Sequence, residues 1–319
     1  MQIANLYMKG RVIKSTGSWY DVLLDEGVTV QCRLKGKLRL ENRRTTNPVV
    51  IGDWVMIELE KDNSAAVINE VLKRNNYIIR QSARNRTAEH ILAANMDRAF
   101  IIATIKEPRT TTGFIDRFLL TAEAYHIPST ILLNKMDLYD DGDLKQVEFL
   151  KNIYGKAGYP IELISAKTDE HLNAVRDLMK DKVNLVAGHS GVGKSTFINK
   201  MIPGIDLKVG DVSDYHSKGM HTTTFAEMFH LPFGGFIIDT PGIKEFGVLD
   251  IEPEELAHYF PEMKNRMHDC KFNNCLHINE PKCAIREAVE SGEISKSRYG
   301  SYLAIVEDVR NTEKIYDKE

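Results

Sequence analysis

The sequence lacks what a membrane or exported protein would need. No apolar run approaches the roughly 18 residues of a spanning helix, and Met1–Lys9 (MQIANLYMK) holds no apolar stretch of leader length. A cytoplasmic protein with no membrane contact is expected. Excess charge is missing too: 42 Lys and Arg against 45 Asp and Glu leave a net charge of −3. Affinity for a polyanion therefore has to come from a local patch. Repeats and low-complexity tracts are absent. Cysteine is scarce, four in 319 residues, which excludes a disulfide-stapled scaffold. Cys32 stands alone in a predicted strand and reads as a small buried hydrophobe. Cys270, Cys275 and Cys283 crowd together instead, and in a reducing compartment that argues for a metal.

What is present suggests about two domains by length, or three small ones. Residues 1–72 alternate in short β-like runs, Lys9–Lys14, Trp19–Leu24, Val28–Arg33, Asp53–Leu59 and Ala65–Ile68, which predict a five-stranded barrel of OB type. Residues 73–95 are polar and basic and read as a linker. From 96 to 249 short apolar strands alternate with helical stretches, with helices expected near 113–126 and after Asp143, and motifs fall where strands end, as in an α/β nucleotide fold. Residues 250–319 read as helices around the Cys/His cluster.

Gly188-His189-Ser190-Gly191-Val192-Gly193-Lys194-Ser195 matches the phosphate-cradling loop, followed by Thr196 in a predicted helix. Its glycines let successive N–H groups converge on phosphate oxygens at a helix N-terminus. Lys194 is placed to reach the β- and γ-phosphates, and the Ser195 hydroxyl to ligate Mg²⁺. Asn134-Lys135-Met136-Asp137 selects guanine, because the Asp137 carboxylate accepts both N1–H and the exocyclic amino group. Ser165-Ala166-Lys167 braces the base. Asp239-Thr-Pro-Gly242 supplies a second carboxylate near Mg²⁺ and an N–H that senses the γ-phosphate. One of Thr222, Thr223 and Thr224 completes the Mg²⁺ shell, and Thr223 joins Lys194 and His221 in the candidate catalytic set. Ile243 follows Gly242 where many such enzymes carry a glutamine that orients the attacking water. His221 is the nearest polar substitute, a purely structural histidine being the alternative, so slow intrinsic hydrolysis and an activating partner are expected. The guanine motif precedes the phosphate loop, so the fold is expected to be circularly permuted.

Cys270-x4-Cys275-x-His277-x5-Cys283 offers a complete tetrahedral shell, the pattern of structural zinc without an open catalytic position. His268 competes as the nitrogen ligand, and His277 is preferred. In the predicted barrel, Arg33, Lys35, Lys37, Arg39, Arg43 and Arg44 face a single acid, Glu41. Alternation at 33, 35, 37 and 39 would set four cations on one strand face, suited to a phosphate backbone. Charge does not decide between RNA and DNA.

With these residues in view, including Arg33-Leu-Lys-Gly-Lys37 and Asn47-Pro-Val-Val-Ile-Gly-Asp53, the chain resembles the RsgA (YjeQ/YloQ) family along essentially its whole length. Met220 departs from the basic residue often found there. The resemblance implies a multidomain α/β protein: an OB-type barrel, a circularly permuted P-loop GTPase domain and a helical zinc-binding domain. It also implies binding to the 30S subunit and its 16S rRNA, late maturation near the decoding region, and hydrolysis of GTP to GDP stimulated by that subunit. Zinc at Cys270, Cys275, His277 and Cys283 is implied as well. A monomer is the default. The competing expectation is a nucleotide-gated RNA scaffold in which hydrolysis is incidental. Because Asp239–Gly242 leads directly into the Cys/His module, the γ-phosphate is expected to bias that module's position.

Overall fold

Alternating apolar side chains shape the N-terminal strands. The computed structural model describes residues 7–36, 48–59, 65–80, 90–205, 207, 227–239 and 251–316. Strands β1 (Tyr7–Ser15), β2 (Trp19–Leu24), β3 (Thr29–Leu34), β4 (Trp54–Leu59) and β5 (Ala66–Val71) form the expected barrel. Antiparallel ladders pair Val12 with Val22 and Tyr20 with Cys32, β3 runs parallel to β5 with Cys32 opposite Ala66, and β4 closes onto β1 with Val55 opposite Gly10. Closure leaves these strands no free edge. Val12, Tyr20, Val22, Cys32, Val55, Ile57, Ala66 and Ile68 fill the interior. Cys32 is fully buried, and burial pushes its thiol up to about 12, so it behaves as the expected hydrophobe.

Two readings of this region change. Strand β3 stops at Leu34, where its ladder with β5 ends, so Arg33 and Lys35 do not begin a four-cation strand face. Arg33 lies 5.2 Å over the Trp19 ring, and Lys35 Nζ donates to Asn69 Oδ1 at 2.9 Å. Lys37, Arg39, Arg43 and Arg44 lie outside the described residues. Residues 73–95, expected as a linker, contain an antiparallel pair, β6 (Tyr77–Arg80) and β7 (His90–Ala94). Arg74 grips the buried Asp53 carboxylate with bonds of 2.7 and 2.8 Å, and Ile51 bridges to Ala93. Arg74, one of the cations that suggested a linker, is thus spent on an internal partner, as a buried carboxylate requires, and residues 81–89 lie outside the described residues.

Contacts divide the chain into two compact units, Met1–Arg98 with Arg176–Ala187 and Ile198–Ile243, and Ala99–Val175 with Gly188–Phe197 and Lys244–Glu319. Beside the barrel, the first unit contains a parallel pair, β11 (Val183–Ala187) and β13 (Phe236–Asp239), which sets Asp239 opposite Val186. Strand β12 (Glu227–His230) runs antiparallel to β13 and meets β1 at Lys14–Glu227.

The second unit is built on β8 (Arg98–Ala103), β9 (Ser129–Leu133) and β10 (Ile161–Leu163), all parallel. Strand β9 is buried throughout, which explains its run of Ile131, Leu132 and Leu133. Helix α1 (Thr112–Ala124) is N-capped by the Thr111 hydroxyl. Helix α2 (Asp141–Lys156) starts earlier than expected, because Asp140 and Asp143 form a capping box that draws Asp143 inside. Helices α3 (Leu172–Met179) and α4 (Lys194–Met201) follow. The C-terminal residues fold as α5 (Pro261–Lys264), α6 (Ala284–Glu290) and α7 (Lys296–Tyr316).

That module shares its core with α1. Leu120 packs with Leu256, Phe260, Met263, Ile285, Tyr302 and Val306. Beside this core, fully buried Arg298 binds Asp116 of α1 at 2.8 Å and Glu262 at 2.7 and 3.2 Å, and its guanidinium lies 4.6 Å from the Phe260 ring. Burial opposes the Arg298 charge, but Asp116 and Glu262 outweigh it and raise its pKa. Removing one partner of such a pair strands buried charge, at a cost of about 3–5 kcal/mol. Arg298→Ala is expected to lose that much in urea denaturation. Arg117→Ala, which breaks only the exposed pair with Asp308, should lose less than about 1 kcal/mol.

Candidate functional site

The guanine and phosphate motifs follow successive strand ends: Asn134 comes after β9, Ser165 after β10 and Gly188 after β11. Asn134 is 2% exposed and joins two of the loops. Its Nδ2 donates to Val192 O at 2.8 Å, and its Oδ1 accepts from the Ala166 N–H at 2.9 Å. Gly193, at φ 93°, passes so close that a Cβ there would collide with the Asn134 amide. Glycine is thus required both for backbone conformation and for approach.

Asp137 is exposed, and Ser165 Oγ donates to its Oδ1 at 2.6 Å. Ser165, itself buried, also receives the Thr168 N–H at 3.2 Å. The carboxylate is therefore pre-aimed before any base arrives. Lys135 adopts a left-handed φ of 68° and donates through Nζ to Glu107 O. The Met136 N–H donates to Ile164 O at 3.2 Å, tying the guanine motif to the end of β10. Lys167 is exposed beside Ala166. Tyr139, missed by sequence reasoning, donates its hydroxyl to Asn134 O at 2.6 Å and receives the Ile105 N–H at 3.3 Å. Asp137→Asn replaces one of the two acceptor oxygens with an amide donor, so guanine's two donors can no longer both be accepted. It should cost at least about tenfold in GTP preference over ATP, read by competition binding. An unchanged preference would remove Asp137 from base selection.

In the phosphate loop Gly188, Gly191 and Gly193 all have positive φ. Ser190 and Gly191 are exposed, Val192 is fully buried, and Lys194 opens α4 with Ser195 buried and Thr196 half-buried after it. His189 is bonded to Thr110 at 2.7 Å. Asp239 closes β13 in register with Val186, two residues before Gly188. His221, Thr222, Thr223, Thr224 and Gly242 lie outside the described residues.

The second centre is the Cys/His cluster. Cys270 Sγ lies 3.6 Å from His277 Nδ1 and 3.9 Å from Cys283 Sγ, with 3.4 Å between Nδ1 and Cys283 Sγ. All four donor atoms, Cys275 Sγ included, fall within 4.8 Å of one another. A tetrahedral shell with metal–sulfur bonds of ~2.3 Å spaces its donors about 3.4–3.8 Å apart, so the residues fit a metal ion. Burial pushes the Cys275 thiol up to about 12 and lowers the pKa of His277. A bound cation would offset that burial penalty by holding the thiols as thiolates. His268 is not part of the cluster.

The supports of this centre escaped the sequence reading. Glu280 accepts the N–H groups of Leu276, Ile278 and Asn279 at 2.8–3.0 Å, which fixes the turn on which His277 sits at φ 57°. From α7, the Tyr299 hydroxyl donates to His277 O at 2.6 Å and the Tyr302 hydroxyl to Leu276 O at 2.9 Å. A lone glutamate and two tyrosines carry no spacing signal that would mark them.

Comparison with known proteins agrees with this geometry. Residues 71–249 match the family model described as RsgA GTPase, and residues 9–67 match that of the RsgA N-terminal domain. The small ribosomal subunit biogenesis GTPase RsgA of Bacteroides fragilis is 52% identical over 301 residues, covering 94% of this chain and 97% of the relative. The protein of the same description from Christiangramia forsetii is 50% identical over 302 residues, covering 94% and 96%. Among solved structures, YjeQ from Thermotoga maritima superposes with a TM-score of 0.80 at 36% identity, covering 95% of this chain and 99% of that one. YloQ, described as a circularly permuted GTPase, gives 0.77 at 29% identity, covering 98% of each.

Proposed function

The chain belongs to the RsgA GTPase family, and from that premise we propose that it hydrolyses GTP on the small ribosomal subunit late in that subunit's maturation. The observation that carries the nucleotide half is Asn134, whose one side chain bonds both the phosphate loop and the loop that braces the base. The ribosomal half rests on the relatives, which are named for small-subunit biogenesis.

In this reading Asp137, oriented by Ser165, accepts guanine, and Lys135 and Lys167 flank it. The N–H groups from Gly188 to Thr196 and the Lys194 ammonium hold the phosphates, while Ser195 and Asp239 hold Mg²⁺, whose role is to neutralise charge developing on the transferred phosphoryl group. His221 and Thr223 join Lys194 in the catalytic set, and Gly242 senses the γ-phosphate. Zinc is the metal for Cys270, Cys275, His277 and Cys283, because three thiolates and one imidazole fill its tetrahedral preference and leave no open position. The barrel would meet 16S rRNA through Arg33, Lys35 and the cations that follow them. The protein works as a cytoplasmic monomer, with 1–72, 96–249 and 250–319 as its functional divisions.

GTP turnover measured with and without purified 30S subunits, with 50S subunits as control, tests the proposal. Stimulation by 30S alone is the expected result. Equal rates in all three conditions would leave a nucleotide-binding protein without the ribosomal role.

A further inference from the structure

His189, the second residue of the phosphate loop, has both ring nitrogens engaged. Nε2 lies 2.7 Å from Thr110 Oγ1, and Nδ1 lies 3.0 Å from Ser190 O. The Phe114 ring meets the imidazole edge-on, with centroids 5.3 Å apart at 86°. Ser190 O can only accept, so Nδ1 carries a proton. Thr110 Oγ1 also accepts the Thr104 N–H at 2.9 Å, which fixes the hydroxyl that Nε2 meets. Both ring nitrogens are thus satisfied by the protein, with nothing left over for a water or a phosphate oxygen.

The anchor is itself rigid. Thr110 N–H donates to Thr104 O at 2.9 Å, and the buried Thr104 hydroxyl donates to Pro108 O. Pro108 stands against Gly191, where a Cβ would lie 3.1 Å from Pro108 Cδ. Lys135 and Tyr139 hold the same 104–111 segment through Glu107 O and the Ile105 N–H. One end of the segment continues β8 and the other, Thr111, caps α1. The imidazole therefore fastens the phosphate loop to the 104–111 segment, beside the separate bond from Asn134 to Val192 O.

We propose that His189 is a positioning residue of the phosphate loop, holding it through Thr110 in the shape that receives nucleotide, and that it transfers no proton. The inference rests on the GTPase reading above. A loop fastened before binding does not have to be ordered by the ligand, so the tether should act on affinity more than on the chemical step. Loss of one neutral hydrogen bond of this kind corresponds to about threefold to tenfold in Kd. Glutamine places a polar atom the same number of bonds from Cβ as Nε2 and should substitute for the ring.

The test uses the full chain with Mg²⁺ and a fluorescent GDP analogue, together with GTP turnover and amide hydrogen exchange of the nucleotide-free protein. His189→Ala and Thr110→Val should each raise Kd and KM by about threefold to tenfold, leave kcat and its pH profile unchanged, and speed exchange across 188–193. The double variant should be no worse than either single one, since both cut the same bond. His189→Gln should restore affinity and protection. Wild-type affinity in both single variants, additive losses, or a collapse of kcat with an altered pH profile would overturn the proposal. Wild-type protein that binds no guanine nucleotide would sink the GTPase reading instead. In that case the exchange comparison still decides whether the tether exists: faster exchange in His189→Ala supports it, and unchanged exchange refutes it.

Discussion

Lys194→Ala abolishes GTP turnover while leaving the fold intact. Lys194 opens α4 directly after Gly193, and in the proposed reading its ammonium meets the phosphates held by the loop's N–H groups. Charge spreads over the phosphoryl oxygens in the transition state, and an oriented cation there is stronger than one in water. Losing an oriented group of this kind costs at least about 10²-fold in kcat, and since the proposed 30S stimulation would act on the same transition state, added subunits should not rescue it. Ser195→Ala should lose turnover as well, through Mg²⁺. Thermal melting checks the fold, since Lys194 is not buried in the core. A Lys194→Ala protein within threefold of wild type would remove the lysine from the mechanism.

Cys275→Ala, or prolonged chelation, unfolds the C-terminal module. Cys275 and Cys283 belong both to the donor cluster and to the apolar core that includes Leu120, Phe260 and Tyr302. Metal binding of this class supplies about 10–16 kcal/mol in small zinc modules, far more than a short helical segment gains by burying its own side chains. Removing one ligand also leaves buried thiols and an imidazole facing one another without compensation. The expected signs are release of one equivalent of zinc to a colorimetric chelator, a lower melting temperature, and rapid amide exchange across 270–290. Retained protection in the metal-free chain would show that packing alone holds the module.

The candidate site was legible in the sequence because its motifs are local. Asn134, Asp137, Ser165 and the phosphate-loop glycines are recognisable from their neighbours, and the structure draws Asn134, Ala166 and Val192 into one bonded set. The barrel was equally legible, since alternation of Val, Tyr and Ile at period two is what a closed sheet needs. What escaped notice depends on partners distant in the chain. Arg298 lies within a mostly polar helix and reads as a solvated cation, yet its carboxylates come from Asp116 and Glu262. Glu280 looks like any surface acid, although three backbone N–H groups converge on it. Arg74 hid the same way, in a stretch whose polarity suggested a linker but whose side chain is committed to Asp53. The continuation of β3 through Lys35 failed for the opposite reason: alternation of cations mimics a strand where the ladder has already ended at Leu34.

The shared core has a bearing on how the chain can be shortened. Leu120 and Asp116 belong to a helix of the nucleotide-binding part, yet they are covered by residues beyond 250. Ending the chain before that point would not yield a minimal catalytic fragment. It would bare an apolar face and an unpaired carboxylate on α1, whose first turn adjoins the Thr110 anchor of the phosphate loop. Truncation would therefore show itself as aggregation and weakened nucleotide binding together, as though the C-terminal residues were an internal chaperone that never leaves.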